Sequence, residues 1–305
     1  MVLAVALLVG ALGFAAFVLT RDRSPSASTT PGGTTPITTP DVTTPQVTTP
    51  EVTTPATTPT GLAVLPQRSW DTLPRPNSTE AYWVQLQQNS LYPQPVPTFT
   101  CPEVPEVEFE SETHFETFMS ETIACQHAGW QTAFEAIGKP LVMPKVSFIR
   151  GAVQTPCGQG DTTFYCGTWD GEHTQIYVNY STMDELAGFR QMPFFAAAHE
   201  FAHHVQHQSG LLWNGSALAH EGGIDDMERS RRIELQASCW TSRIMVTTDI
   251  GFNDSDYSQY IAWTERDLGE VHGSAKSNQY WWQRGFYMDQ VSGCNTWTVT
   301  PDMVT

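Results

Sequence analysis

His199, Glu200 and His203 are spaced so that two imidazoles and a carboxylate meet on one stretch of helix. The surrounding run, FFAAAHEFAHHVQHQSG over residues 194–210, carries Phe194, Phe195, Ala198, Phe201, Ala202 and Val205 at helical spacing. Residues 196–198 are alanines, which favour helix, and Gly210 supplies a C-terminal stop. On such a helix His199 and His203 lie one turn apart on the same face, close enough for both to hold one metal ion. Glu200 stands beside them, where its carboxylate can take a proton from a water on that ion. Two imidazoles and an ionised carboxylate among apolar neighbours would be costly to bury without a counterion, and a zinc ion supplies one. The competing reading is a polar helix face that spells HExxH by chance, so the decision falls to the rest of the chain.

A catalytic zinc takes three protein ligands and leaves a fourth position to water. One pattern draws the third ligand from the same segment and requires Gly at 206 and His at 209. This chain has Gln206 and Ser209, which excludes it. A glutamate from a later element is the alternative, and two fit: Glu221 in AHEGG and Glu234 in RSRRIELQASCWTSRIM. Glu221 sits beside Gly222 and Gly223 and reads as loop. Glu234 lies in an amphipathic run with Ile233, Ala237, Trp240, Ile244 and Met245, and a helix positions a ligand better than a loop does. The bland role for Glu234 is a solvated carboxylate paired with Arg231 or Arg232.

AAAHEFAHHVQ followed by RRIELQASC resembles the bacterial neutral zinc metallopeptidases, whose HEFGHHVQ-like and ELQADC-like motifs recur in that order. PCGQGDTTFYC with QIYVNYSTMDEL, VHGSAKSNQYWWQRGF and SGCNTW extend the resemblance over about residues 100–298. It implies an α+β, zincin-like domain, His199, His203 and Glu234 as zinc ligands, and Glu200 as the catalytic base. It also draws attention to His272 in VHGSA as a donor to the developing oxyanion, against a structural histidine in a Gly-containing turn. Cys157–Cys166, Cys239–Cys294 and, as the remaining pair, Cys101–Cys125 are the disulfides it favours. Two residues depart from the family pattern. Ser238 stands where an Asp would orient a ligand imidazole, a contact that often carries 10- to 100-fold in affinity or activity. Ala202 replaces a common Gly, which a helix tolerates.

The elements that must position these groups read as mixed. Residues 61–100 are largely irregular, with AYWVQLQQ as a short helix. Residues 111–138 read as one long or broken helix. KVSFI (145–149) and QIYVNY (175–180) read as strands. The second is expected as the edge strand that binds an extended peptide by main-chain pairing, with the cleft between it and the helix over 194–208. An insertion at 211–227, the helix carrying Glu234 and a Trp-rich C-terminal part follow. His204 and His207 project away from the metal-binding face and read as packing or solvated residues.

The chain opens with twenty residues free of charge, long enough as a helix to span about 30 Å, and is expected to anchor in a membrane. Arg21 and Arg23 follow it, which taken alone would place the remainder in the cytoplasm. Two features outweigh that count. Residues 24–60 form a Thr/Pro near-repeat that cannot pack a core and, at ~3.1 Å per residue, would reach about 110 Å as an extended stalk within the linker 21–60. All six cysteines fall in the domain expected over 61–305, an even count that fits an oxidising compartment. The expectation is a single-pass membrane protein whose catalytic domain is extracytoplasmic and acts on peptide or protein substrates. A net charge of −17 argues against nucleic acid and anionic surfaces as partners. A zinc-dependent amidase of cell-wall peptides and a non-catalytic surface scaffold are the alternatives.

Overall fold

Apolar and β-branched runs pair into sheet here, and the longer amphipathic runs pack on it as helices. The computed structural model describes residues 4–9, 63, 65–105, 108–184, 189–266 and 268–305, with only the backbone of 4–9. In chain order, β1 (Ala4–Val9) precedes α1 (Ala81–Gln87) and α2 (Glu112–Ala136). β2 (Lys145–Ile149), β3 (Val153–Thr155), β4 (Gly158–Gly160), β5 (Thr163–Thr168) and β6 (Thr174–Asn179) follow. The helical part is α3 (Ser181–Asp184), α4 (Met192–Ser209), α5 (Leu211–His220), α6 (Asp226–Thr247), α7 (Asp254–Thr264) and α8 (Ala275–Gly285). Two 3-10 turns close the chain, Val291–Cys294 and Pro301–Met303. This mixture of helices and small sheets, held by three disulfides, is an α+β fold.

The main sheet has the order β1-β5-β6-β2, with β5 antiparallel to both neighbours and β2 parallel to β6. β3 and β4 form a separate hairpin. One face of the sheet sends Tyr165, Ile176 and Val178 into the main core against the helices. On the other face Ile149, Phe164 and Cys166 pack with Val153, Cys157 and Tyr177. Both faces of β5 are therefore covered, and all six of its residues are buried. This corrects the expected edge strand. The strand over 175–180 is β6, which lies inside the sheet, and the strand beside α4 is β5. The aromatic content of TFYCGT carried a strand signal, but a run buried on both sides lacks the alternation that marks a half-exposed strand.

Two other expectations change. The helix expected over 1–20 is not found in its described part: Ala4–Val9 is a strand, paired with β5 from Ala4–Thr168 to Val9–Thr163. A short apolar run is compatible with either state, and an open sheet edge selects strand. Residues 10–20 and the stalk lie outside the described residues, and no helix among those described is long and apolar enough to cross a membrane. The insertion at 211–227 contains the helix α5, joined to α4 at Gly210, whose φ of 89° lets one residue end one helix and start the next.

α4 runs through the middle of the core, buried from Met192 to His207. α6 starts at Asp225, whose side chain accepts from the Glu228 N–H, and its inward stripe includes Ile233, Ala237, Trp240, Ile244 and Met245 as expected. α8 lies against α6 at Gly285, where a Cβ would fall 2.0 Å from the Cys239 carbonyl oxygen, so only glycine permits the approach.

Candidate metal centre

α4 and α6 pass side by side and bring together residues thirty-five apart in sequence. The Nε2 atoms of His199 and His203 are 3.0 Å apart. The Oε2 atom of Glu234 is 3.1 Å from the first and 3.4 Å from the second. All three side chains are buried, and among the described residues they are the cluster that could hold a metal ion. Glu221 does not join them; it is exposed at the C-terminus of α5. Nor does Glu234 pair with the neighbouring arginines. Arg232 binds Glu228 at 2.7 Å, and Arg231 donates to the Glu270 carbonyl.

The outer ring nitrogens are also engaged. His199 Nδ1 meets Ser238 Oγ at 3.3 Å, and His203 Nδ1 meets Gln206 Oε1 at 2.8 Å. Both Nε2 atoms are thereby turned inward. Four tetrahedral bonds of 2.0–2.1 Å would separate donor atoms by about 3.4 Å, close to the spacings here. Glu234 Oε1 and Glu200 Oε1 are both buried without a hydrogen-bond partner, as carboxylate oxygens facing a cation or its water would be. The donor set and its orphaned oxygens fit zinc.

Glu200 is held from outside α4. Its Oε2 accepts from the Tyr165 backbone N–H at 2.7 Å, so β5 fixes the carboxylate while Oε1 remains available. Burial, followed by the charge of Glu234, pushes the Glu200 carboxyl well above the usual range, and the Tyr165 N–H opposes this. For Glu234 burial acts in the same upward direction. The imidazoles of His272, His203 and His199 outweigh it and hold this carboxyl well below the ordinary value. Burial lowers His199 to about 4, so its ring is neutral and able to ligate.

His272 reaches the same place from the loop before α8. Its Nε2 is 3.2 Å from Glu234 Oε2, yet it is not part of the three-residue ligand cluster. His204 and His207 are buried rather than solvated. Both rings contact the Tyr165 hydroxyl through Nδ1, at 3.1 and 2.6 Å. Three functional neighbours were not singled out from sequence: Tyr165, Gln236 and the orienting role of Gln206. The cavity of about 630 Å³ bounded by Trp70, Tyr92, Arg284 and Met288 shares no residue with the metal centre.

Residues 88–258, from just after α1 into α7, match the family described as “Putative neutral zinc metallopeptidase”. The chain belongs to this family. The matched span contains both histidines, Glu200, Glu234 and Ser238, while His272 falls beyond it. Uncharacterized protein YpfJ of Escherichia coli strain K12 is 28% identical over 207 residues, covering 59% of this chain and 70% of its own. Uncharacterized protein Rv2575 of Mycobacterium tuberculosis strain H37Rv is 24% identical over 215 residues, covering 58% of this chain and 71% of its own. No solved structure matches.

Proposed function

We propose that this protein is a zinc peptidase that hydrolyses internal peptide bonds, with His199, His203 and Glu234 as ligands and Glu200 as general base. The convergence of two Nε2 atoms and one carboxylate oxygen within 3.4 Å, beside a carboxylate with one oxygen free, carries this reading. Bound zinc would polarise the scissile carbonyl and acidify the attacking water. Glu200 Oε1 accepts the water proton and then returns it to the leaving amine, while the Tyr165 N–H keeps Oε2 in place. Its upward-shifted pKa brings the carboxylate nearer the working range of a proton carrier. His272, within hydrogen-bond distance of Glu234, is proposed to donate from Nε2 to the substrate oxygen as it gains charge. The outer edge of β5 already pairs with an extended antiparallel strand, which supports main-chain recognition of a peptide along that edge.

All six cysteines are paired, which supports an oxidising, extracytoplasmic setting. A membrane tether through the uncharged run 1–20 is proposed as a separate state, in which Ala4–Val9 leaves the edge of β5, and cell fractionation of the tagged full chain tests it.

The deciding experiment measures zinc content and cleavage of a peptide library by the wild type, Glu234→Ala, Glu221→Ala and Glu200→Gln. One zinc per chain is expected in the wild type, lost in Glu234→Ala and kept in Glu221→Ala. Glu200→Gln should retain zinc and lose about 10²- to 10⁴-fold in kcat/KM. Zinc-loaded wild type that cuts no peptide but releases peptidoglycan cross-links would transfer the same chemistry to a cell-wall amidase. Absence of zinc after reconstitution would leave a scaffold.

A further inference from the structure

Gln206 entered the sequence argument only as a residue that rules out another ligand pattern. In the structure its side chain is fully buried between the two helices that form the metal centre. The amide nitrogen lies 2.9 Å from the Ile233 carbonyl oxygen, and a backbone carbonyl can only accept. This end of the amide is therefore the NH2 group, and the end facing His203 is the oxygen. An amide oxygen can only accept as well, so His203 Nδ1, 2.8 Å away, carries the ring proton. In a neutral ring that leaves the lone pair on Nε2, the atom turned toward His199 and Glu234. The orientation is fixed again one step further out. Gln206 Nε2 also donates to Gln236 Oε1, and Gln236 Nε2 donates to the Tyr92 hydroxyl and the Cys294 carbonyl.

We propose that Gln206 is the positioning residue of the metal centre, an amide anchored on α6 that selects the Nδ1–H tautomer of His203 and aims its Nε2 at the metal. This deepens the proposed function and rests on the metal centre it describes. A neutral amide suits a site that lacks a carboxylate behind either ligand imidazole, since Ser238 is the group behind His199. The arrangement also gives Gln206 and Gln236 separable roles. Both make buried hydrogen bonds, but only Gln206 touches a ligand.

The test uses the full chain and reads zinc affinity by chelator competition, together with the visible spectrum of the cobalt form. Gln206→Leu is expected to weaken zinc binding about 10- to 100-fold and to change the cobalt spectrum. Gln236→Leu, which cuts the outer bonds and leaves the acceptor on His203, should stay within about threefold of wild type, well short of the loss expected when a ligand's orienting partner is removed. Unchanged zinc affinity and cobalt spectrum in a folded Gln206→Leu overturn the inference, as does an equal loss in both Leu variants. Should Gln206→Leu fail to fold, imidazole 15N shifts of zinc-loaded wild type decide directly. A proton on His203 Nδ1 upholds the assignment, and a proton on Nε2 overturns it. Wild type that takes up no zinc would sink the metal centre itself, a different failure from wild type that binds zinc with an indifferent Gln206→Leu.

Discussion

Behind His199 stands a hydroxyl, Ser238 Oγ, at 3.3 Å from Nδ1. A hydroxyl orients the ring weakly, whereas a carboxylate there would accept the Nδ1 proton through a charge-assisted bond and make Nε2 a stronger donor. Ser238→Asp is therefore expected to tighten zinc binding about tenfold. The same buried charge should lower the melting temperature of the metal-free protein, because it joins the buried carboxyl groups of Glu200 and Glu234. Chelator competition and thermal melting with and without zinc check both halves, and tighter binding without metal-free destabilisation would show the carboxylate turned elsewhere. At this scale the meeting of His199, His203 and Glu234 was legible from sequence, the histidines through their spacing on one helix and Glu234 through its amphipathic run and the family resemblance. Gln206 and Tyr165 were not. The contact of Tyr165 with Glu200 uses a backbone N–H, to which residue type is blind. The role of Gln206 depends on the carbonyl of Ile233, brought close only by helix packing.

The pairing of α4 with β5 explains why His204 and His207 are part of the interior. His204 Nε2 donates to the Val142 carbonyl at 2.5 Å and His207 Nε2 to the Thr168 carbonyl at 3.2 Å, so each neutral ring presents Nδ1 as an acceptor, and the single Tyr165 O–H proton goes to His207, the shorter contact at 2.6 Å. Helical periodicity located both on a face away from the ligands but gave no indication that a strand would bury that face. The same blindness put β6 beside α4 where β5 lies, since which strand lies there is decided by sheet order and not by local pattern. The long helices and β2 were legible because their patterns are local. Burial lowers His204 to about 3 and His207 to about 4, and this fixes a sign. The folded state binds its proton more weakly than the unfolded chain does. Stability is therefore complete above the unfolded value of 6.5 and is lost as pH falls from there to about 4. Replacing His207 with Gln removes its share. Between pH 7.5 and 4 the unfolding free energy of wild type should fall by up to about 3 kcal/mol more than that of His207→Gln. Urea unfolding of both proteins across this range measures the difference, and parallel pH profiles would mean that His207 is solvated in the folded state.

Across the whole molecule the disulfides brace the two sides of the metal centre. Cys239–Cys294 closes a separation of 55 residues and ties α6 to the C-terminal segment. Trp240 Nε1 and Arg232 Nη2 already donate there to the Val291 and Val299 carbonyls. Cys157–Cys166 closes a separation of nine and clips the β3–β4 hairpin onto β5, one residue from the N–H that holds Glu200. Chain entropy makes the long loop the greater contributor to stability, about 4 kcal/mol against about 3 for the short one. On the proposed role of Glu200 as general base, its proximity makes the short loop the greater contributor to catalysis. The double variants Cys239→Ala/Cys294→Ala and Cys157→Ala/Cys166→Ala should therefore rank in opposite orders. The first should lose more unfolding free energy in urea, and the second should lose more kcat at a temperature where both are folded. Zinc content should remain at one per chain in the second, because β5 supplies no ligand. Loss of kcat in proportion to stability in both variants would mean that β5 is held firmly enough by its strand pairing alone. The covalent clip would then serve the fold and not the position of Glu200.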